Sequence, residues 1–416
     1  MSEAAPALRC RSCGAPLEQL FVDLGMSPIS NAMRRPEQSG DCEAFWPLRT
    51  YVCGVCRLVQ IQDIATREAH FHGDYTYFSS YSTSWLKHAE TYAAMMVERF
   101  GLDAASQVVE VASNDGYLLR YFKAADVPVL GIDPAANCAE VATREHGIRT
   151  LTRFFGAELA AELGGEGLTA DVIAANNVLA HVPDINDFVE GFRVLLKPAG
   201  VVTVEFPHLL RMIEANYFDT IYHEHYSYLS LLALERLFAR HGLAVFDLEE
   251  LTTHGGSLRV FAGHAGAHGA ASKAVEAFRA REAAAGLDDP AAYAGFAERV
   301  RTTKRALLKL LIRLKDEGAG IVAYGAPAKG NTLLNYCGIR GDILDYAVDA
   351  NPHKQGLSLP GTGVPVFAVE RIFQTRPDYV LILPWNLKDE ITGQMAGIGE
   401  WGGRFILPLP EPIILT

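Results

Sequence analysis

At 416 residues the chain is too long for one ordinary hydrophobic core, so two or three domains are expected. It carries 49 acidic against 37 basic residues, a net charge of -12, which disfavours a nucleic-acid backbone as main partner but leaves room for a small phosphorylated ligand. No run of about 18 or more apolar residues could span a membrane, and the start MSEAAPALRCRSCG lacks the basic-then-apolar order of a secretory signal, so a cytoplasmic enzyme is expected.

The first unit, residues 1–72, is short and weak in helical periodicity. Cys10, Cys13, Cys53 and Cys56 form two CxxC pairs. Each pair can sit on a tight turn that aims two thiolates at one point, and two such turns suit tetrahedral Zn²⁺. In a reducing compartment this reads as a metal site rather than as disulfides. Four protein ligands leave no open position, so the ion is expected to be structural. Gly14 and Gly54 lie where the turns can use a positive φ. The gap of 39 residues between the pairs must form its own hairpin or loops. Buried free cysteines or a redox pair are the alternatives.

The second unit, residues 73–248, alternates strands and helices. It opens, just before the core, with a polar–aromatic run, Asp74 to Ser82, in which Tyr75, Tyr77 and Ser79 are candidates to bind substrate in a lid. QVVEVA (107–112) reads as a buried parallel strand, and Ser113, Asn114, Asp115 and Gly116 then lead into a helical YLLRYFKAA. Such a strand–turn–helix presents backbone N–H groups to a ligand. Glu110 lies within the end of that strand, placed to accept from an amino group. VPVLGID ends at Asp133, where a carboxylate can take both hydroxyls of a ribose; Pro134 turns the chain into the next helix. Phe154 and Phe155 follow a third short strand and could flank an adenine ring. DVIAANNV ends in Asn176 and Asn177, and His181 lies just beyond. The turn LLKPAG (195–200) then precedes VVTVEFP. An NAD-binding Rossmann unit would need GxGxxG, and only Gly116 stands in this loop. LLKPAG resembles the LLKPGG turn of class I methyltransferases, and with Glu110 and Asp133 it implies an S-adenosylmethionine site. The glycine-poor loop departs from that family's pattern.

Tyr222-His223-Glu224-His225-Tyr226-Ser227-Tyr228 follows the fifth strand. So many acid–base groups are costly in a buried strand unless each is paired, whereas ligands gather beyond strand ends in folds of this kind. On a regular strand Tyr222 and Glu224 would face away from His225; a loop is predicted, so that all three can serve one site. A metal held by His223 and His225 is the alternative, without obvious further ligands.

The third unit, residues 249–416, opens with strand-like LRVFAGH and a long helical stretch from about Ala270 to Lys315. GIVAYGAPAKGNT then reads as strand, glycine-containing loop and helix. Its small residues would let the backbone approach a phosphate, with Lys329 for charge and Asn331 and Thr332 beside it. The GK[ST] ending of a Walker loop is absent. His353 follows the strand LDYAVD, and Trp385 and Asn386 close the strand PDYVLILPWN. The pattern predicts a small parallel α/β domain with a diphosphate-nucleotide site; a purely structural domain is the alternative.

Cysteine-paired unit, EVASNDGYLL, GIDPA, YHEHYSYLS and AYGAPAKGNT occur here in the same order as in the sugar C-methyltransferases that act on nucleotide-linked 4-keto-deoxysugars. The chain resembles that family over nearly its whole length. Within it, the likeness is to the carbon-3 methyltransferases of D-tetronitrose biosynthesis, whose substrate is a dTDP-linked 3-amino-4-keto sugar. The resemblance implies an α/β fold of three parts: a zinc-binding module, a class I (Rossmann-like) methyltransferase core and a second Rossmann-like domain that binds the nucleotide sugar. It also implies base-generated enolate chemistry in the biosynthesis of antibiotic deoxysugars. His225 is then the base. Tyr222 and His181 hydrogen-bond the developing oxyanion, and Glu224 orients its neighbours. An O- or N-methyltransferase on a sugar and a non-catalytic zinc scaffold are the rivals. Neither nucleic acid nor membrane is expected as a partner, and a monomer is the simplest assembly.

Overall fold

The computed structural model describes residues 8–62, 64 and 78–415. Tyr75 and Tyr77, two of the candidates for substrate binding, lie outside the described residues.

The segment between the cysteine pairs forms a hairpin-like pair, as its length requires. β1 (Gln19–Ser27) and β2 (Trp46–Val52) run antiparallel, and β3 (Val59–Ile61) adds to β2. The core begins with the helix Thr83–Phe100, whose N-cap Ser82 accepts from the Trp85 amide and whose end is left-handed Gly101. Then come β4 (Val108–Val111), β5 (Val129–Ile132), β6 (Thr150–Leu151), β7 (Ala170–Asn176) and β8 (Leu196–Pro207), with helices between them. All four residues of β4 are buried, the mark of a parallel strand covered by helices on both faces. β9 (Ser227–Tyr228) is the short strand that follows the histidine-rich loop; β10 (Leu243–Leu251) and β11 (Ser257–His264) form a hairpin.

The central sheet has seven strands in the order β10-β11-β8-β7-β4-β5-β6. β6, β5, β4, β7 and β8 are mutually parallel, and β11 runs antiparallel to both β8 and β10. Strand order reverses between β4 and β7, so a ligand crevice opens beyond their carboxyl ends. LLKPAG is absorbed into this sheet: its last five residues begin β8, and a register shift against β7 lies between the Ala170 and Val172 pairings.

The sheet does not respect a division at residue 248. That position falls inside β10, and LRVFAGH is β11, hydrogen-bonded between β10 and β8 rather than in the third unit. Only the long-range pairing of Leu258 with Phe206 and its neighbours decides this, and it leaves no local mark in the sequence. The helical stretch expected from Ala270 to Lys315 is two helices, Lys273–Ala284 and Phe296–Asp316. Left-handed Gly286 and the turn at Pro290–Tyr293 separate them.

The C-terminal sheet joins β12 (Ile321–Tyr324), β13 (Ala347–Val348), β14 (Val366–Phe367), β15 (Tyr379–Ile382), β16 (Arg404–Leu407) and β17 (Ile413–Ile414). Its order is β14-β13-β12-β15-β16-β17, parallel except for β17. This is the expected second Rossmann-like domain, with its own switch point between β12 and β15.

A buried carboxylate ties the later helices to the core. Glu282 lies 2.6 Å from His208 Nε2, and it also accepts from the amides of Leu231 at 2.7 Å and Leu232 at 2.8 Å, the free N–H groups that open the helix Leu231–Arg240. Both partners are buried. Glu282→Ala removes the acceptor from three donors at once, and leaving buried donors unsatisfied costs about 3 kcal/mol. The urea midpoint followed by circular dichroism is expected to fall accordingly, and to fall less for Glu282→Gln.

Candidate active site

The four cysteines converge as their spacing requires. Cys10 Sγ lies 3.5 Å from Cys56 Sγ, Cys13 Sγ 3.5 Å from Cys53 Sγ, and all four sulfurs lie within 4.8 Å of one another. Zn–S bonds of about 2.3 Å put ligand sulfurs roughly 3.8 Å apart, so the set fits tetrahedral zinc. The two knuckles share a backbone plan. Gly14 N donates to Cys10 O and Arg57 N to Cys53 O, and each donor is left-handed, with φ of 75° and 65°. The second turn therefore takes its positive φ at Arg57 rather than at Gly54. The Gln60 amide donates to Cys10 Sγ at 3.1 Å, and the Val55 and Cys56 amides donate to Cys53 Sγ at 3.4 Å.

In the cofactor crevice the loop after β4 resolves the missing glycines. Ala112 (φ 60°) and Asn114 (φ 48°) take the left-handed conformation that glycine takes at no steric cost, and Gly116 (φ 80°) is the third such residue. Asn114 N donates to Asp133 Oδ2 at 2.8 Å, and Ala135 N donates to Oδ1 at 2.8 Å. Asp133 thus stands at the head of the helix Ala136–His146 with Pro134 beside it. Burial pushes its carboxyl up to about 6, against those two amides. Glu110 is buried, and its carboxyl is raised well above the usual range; the Tyr117 hydroxyl opposes this while Asp133 and Asp115 add to it. Three crowded carboxyl groups favour a cationic ligand, and the sulfonium and ammonium of S-adenosylmethionine meet that requirement. Ser113 is fully buried and its Oγ packs towards Gly131. Ser79 N donates to Asn114 Oδ1 at 2.9 Å and Ser80 N to Asp115 Oδ2 at 3.1 Å, so Ser79 fastens its segment to the cofactor loop.

The two phenylalanines part company. Phe155 is buried against Phe188 and Phe192, with ring centres 5.4 and 5.7 Å away. Phe154 stays partly exposed. Asn176 ends β7 in the crevice, and Asn177 follows in a left-handed conformation.

Residues 222–226 form a turn and loop, as side-chain alternation demanded, with His225 N bonded to Tyr222 O at 2.9 Å. His225 Nδ1 lies 2.9 Å from the Thr220 carbonyl, which must accept, so this nitrogen carries the proton. Nε2 is then the basic nitrogen, and it receives the Tyr222 hydroxyl at 2.6 Å. The His181 ring lies 4.6 Å from that of His225. Burial, and then the neighbouring His181, hold the His225 imidazole well below its ordinary value. Glu224 faces elsewhere: Oε1 accepts from Asn31 N at 3.2 Å and Asn31 Nδ2 at 3.1 Å. Its carboxyl fixes the N-terminal unit to the loop, and burial raises it.

Another histidine, His254, lines the same pocket as His225, with Tyr217, Thr220 and Tyr228. Burial, reinforced by Lys329, pushes it down to about 4. Beside it, buried Glu205 accepts from His88 at 2.9 Å, Arg259 at 2.9 Å and Thr253 at 3.0 Å. Sequence reasoning passed over these residues, although Glu205 in the apolar strand VVTVEFP and His254 before a Gly-Gly pair were both visible anomalies.

In the C-terminal domain Lys329, Trp385 and Asn386 meet at the switch point. Lys329 Nζ donates to Asn386 Oδ1 at 2.7 Å and sits 4.5 Å from the centre of the Trp385 ring. The Trp385 indole donates to Asp219 at 2.7 Å and stacks on Tyr217 at 3.8 Å. Thr332 and Asn331 are buried, and the Thr332 hydroxyl donates to Ile221 O at 3.0 Å, next to Tyr222. The small residues of the loop serve packing: a Cβ on Gly330 would stand 2.8 Å from the Leu383 side chain. The Ala326 amide is already taken by Asp349 at 2.7 Å. His353 reaches the core, with Nε2 3.5 Å from the Tyr81 hydroxyl.

Three family models match in chain order: a zinc binding domain over residues 10–71, a methyltransferase domain over 85–248 and a C-methyltransferase C-terminal domain over 252–410. The chain is 36% identical over 414 residues to the C-methyltransferase NovU of Streptomyces niveus, covering 99% of this chain and 97% of that one. Among solved structures, the 1,6-didemethyltoxoflavin-N1-methyltransferase of Burkholderia thailandensis matches with a TM-score of 0.37 and 16% identity, over 50% of this chain and 96% of that one. Magnesium protoporphyrin IX methyltransferase of Synechocystis PCC 6803 matches at 0.35 and 13%, over 47% and 92%. Crevice, acidic cluster and sheet order are those of an S-adenosylmethionine-dependent methyltransferase. More closely, the chain belongs to the zinc-containing C-methyltransferase family.

Two outcomes are expected of these sites. Metal analysis finds one zinc per chain, and Cys53→Ser loses it. Asp133 organises the cofactor loop as a carboxylate that accepts at both oxygens, so affinity for S-adenosylhomocysteine is expected to be level above pH 7 and to weaken as pH falls through about 6; calorimetric titration across that range reads it.

Proposed function

We propose that the enzyme methylates carbon 3 of a dTDP-linked 4-keto-deoxysugar, one bearing an amino group at carbon 3, in the biosynthesis of an antibiotic sugar. What supports this most is the imidazole of His225, with one nitrogen tied to Thr220 O and the other facing Tyr222 beyond the strand ends of the cofactor sheet. A side chain so held is a preset base of fixed tautomer. The family's C-methyl chemistry needs such a base, since carbon becomes nucleophilic only after losing a proton.

The cofactor supplies an electrophilic methyl group, held by Glu110 and Asp133 and by the loop Ser113–Gly116. His225 Nε2 takes the proton from the carbon next to the ketone. Tyr222 and His181 stand within reach of the oxygen on which charge develops, where fixed donors act most strongly. Glu224 acts at a distance, by pinning the loop to Asn31. The nucleotide handle lies in the C-terminal switch point, with Lys329 as the cation, Trp385 and Asn386 beside it, and His353 closing towards Tyr81. Ser79 borders the sugar from the cofactor side.

Incubation with labelled cofactor and a panel of dTDP-4-keto sugars, read by mass spectrometry, tests the substrate. In His225→Asn, binding of S-adenosylhomocysteine persists while turnover falls by at least about a hundredfold, and deuterium from solvent no longer enters carbon 3. A near-wild-type rate removes His225 from this role. With the imidazole held below its ordinary value, the neutral base persists in mild acid. The wild-type kcat/KM is therefore expected to stay level down through pH 6.5 and to fall only below it.

A further inference from the structure

Arg11 stands between the first two cysteines, yet its side chain leaves the metal centre. Nη1 donates to Pro183 O at 3.1 Å and Nη2 to Ile61 O at 2.9 Å, while the guanidinium carbon lies 5.1 Å from the centre of the Tyr226 ring. Pro183 is two residues beyond His181, and Tyr226 is the residue after His225. The Ile61 amide itself donates to Tyr226 O at 3.1 Å. One guanidinium therefore touches both segments that carry the paired histidines and the strand that holds one of them.

A second link runs in parallel. Gln60 is buried; its Nε2 donates to Cys10 Sγ at 3.1 Å, its Oε1 accepts from Arg11 N at 2.9 Å, and its backbone pairs with Ser227. The thiolate cluster is thus connected through Arg11 and Gln60 to the peptide that follows His225.

We propose that Arg11 is a positioning residue for methyl transfer, fixing the separation of His181 and His225 from the zinc unit; the proposal rests on His225 being the base. The two histidines come from different elements, one from the turn after β7 and the other from the loop before β9, and their rings lie 4.6 Å apart. Holding that spacing requires a rigid group that reaches both segments. A planar fork with two donors and a face for an aromatic ring fits the task, and an ammonium does not. Misplacement of a reacting group by about 1 Å can cost roughly a hundredfold in rate.

The test is Arg11→Met in the full-length, zinc-loaded protein, with the dTDP-4-keto-deoxysugar accepted in the panel above. The expected kcat falls roughly 10- to 100-fold while KM for both substrates stays within about twofold. Zinc content stays at one per chain, and the affinity for S-adenosylhomocysteine is unchanged. Arg11→Lys, which keeps the charge but loses the fork, recovers only part of the rate. A kcat within about twofold of wild type overturns the proposal. So does full recovery in Arg11→Lys, and so does a lost rate accompanied by lost zinc or risen KM, which assigns Arg11 to folding the metal unit alone. His225→Asn measured alongside separates the two ideas: a near-wild-type rate there removes the base and this proposal with it, whereas a lost rate there beside an unchanged kcat in Arg11→Met overturns the proposal alone.

Discussion

The segment from Asp219 to Tyr228 is gripped from three directions, and the rest of the site depends on that grip. The core supplies the chain and the Thr220 carbonyl that sets the tautomer of His225. The N-terminal unit supplies β3, which pairs with β9, and Asn31, which engages Glu224. The C-terminal domain supplies Trp385 to Asp219 and Thr332 to Ile221 O. A loop dense in ionisable groups is costly to bury unless each is satisfied. Here the satisfying partners come from every unit, so fixing the loop and joining the units are the same event.

This arrangement gives the zinc a role beyond stabilising a small unit. A module of some sixty residues has little core of its own, and its sheet is completed by a strand from the methyltransferase core. The metal gathers the two knuckles; the first presents Arg11, and Gln60 of β3 joins Cys10 and Arg11 to the loop. The C-terminal domain contributes differently. Its loop after β12 looked, from its small residues, like a phosphate cradle, but Asp349 occupies the Ala326 amide and Gly330 is needed against Leu383. The cation of that loop, Lys329, is presented against Trp385 at the switch point.

Much of the molecule was legible in local sequence. The cysteine pairs give the metal unit, because tetrahedral ligation by four thiolates needs little beyond two tight turns. The loop at Tyr222–Tyr226 followed from side-chain alternation and the requirement that Tyr222, Glu224 and His225 share one site, although Glu224 turns to Asn31 instead. The cofactor loop was legible in place but not in form: Ala112 and Asn114 adopt a backbone for which glycine is the usual signal. What stayed hidden depends on contacts far apart in the chain. Nothing near LRVFAGH announces that it lies between β10 and β8. The turn of Glu224 towards Asn31 joins residues of different units, and the burial of Phe155 under Phe188 and Phe192 depends on how a later helix packs.

The pairing of β3 with β9 also dictates an order of assembly. During synthesis the cysteine pairs emerge first and can gather their metal at once. The sheet they belong to then waits until residues 227 and 228 have been made, and β8 has an uncovered edge until β11 follows. For most of its time on the ribosome the nascent chain therefore carries open strand edges, which other chains could capture. A chain that halts near residue 248 keeps the uncovered edge of β8 for good. The three units are separable as sequence matches, yet two of their sheets draw strands from a neighbouring unit, so exchanging one of them between relatives would have to carry its strand partner along.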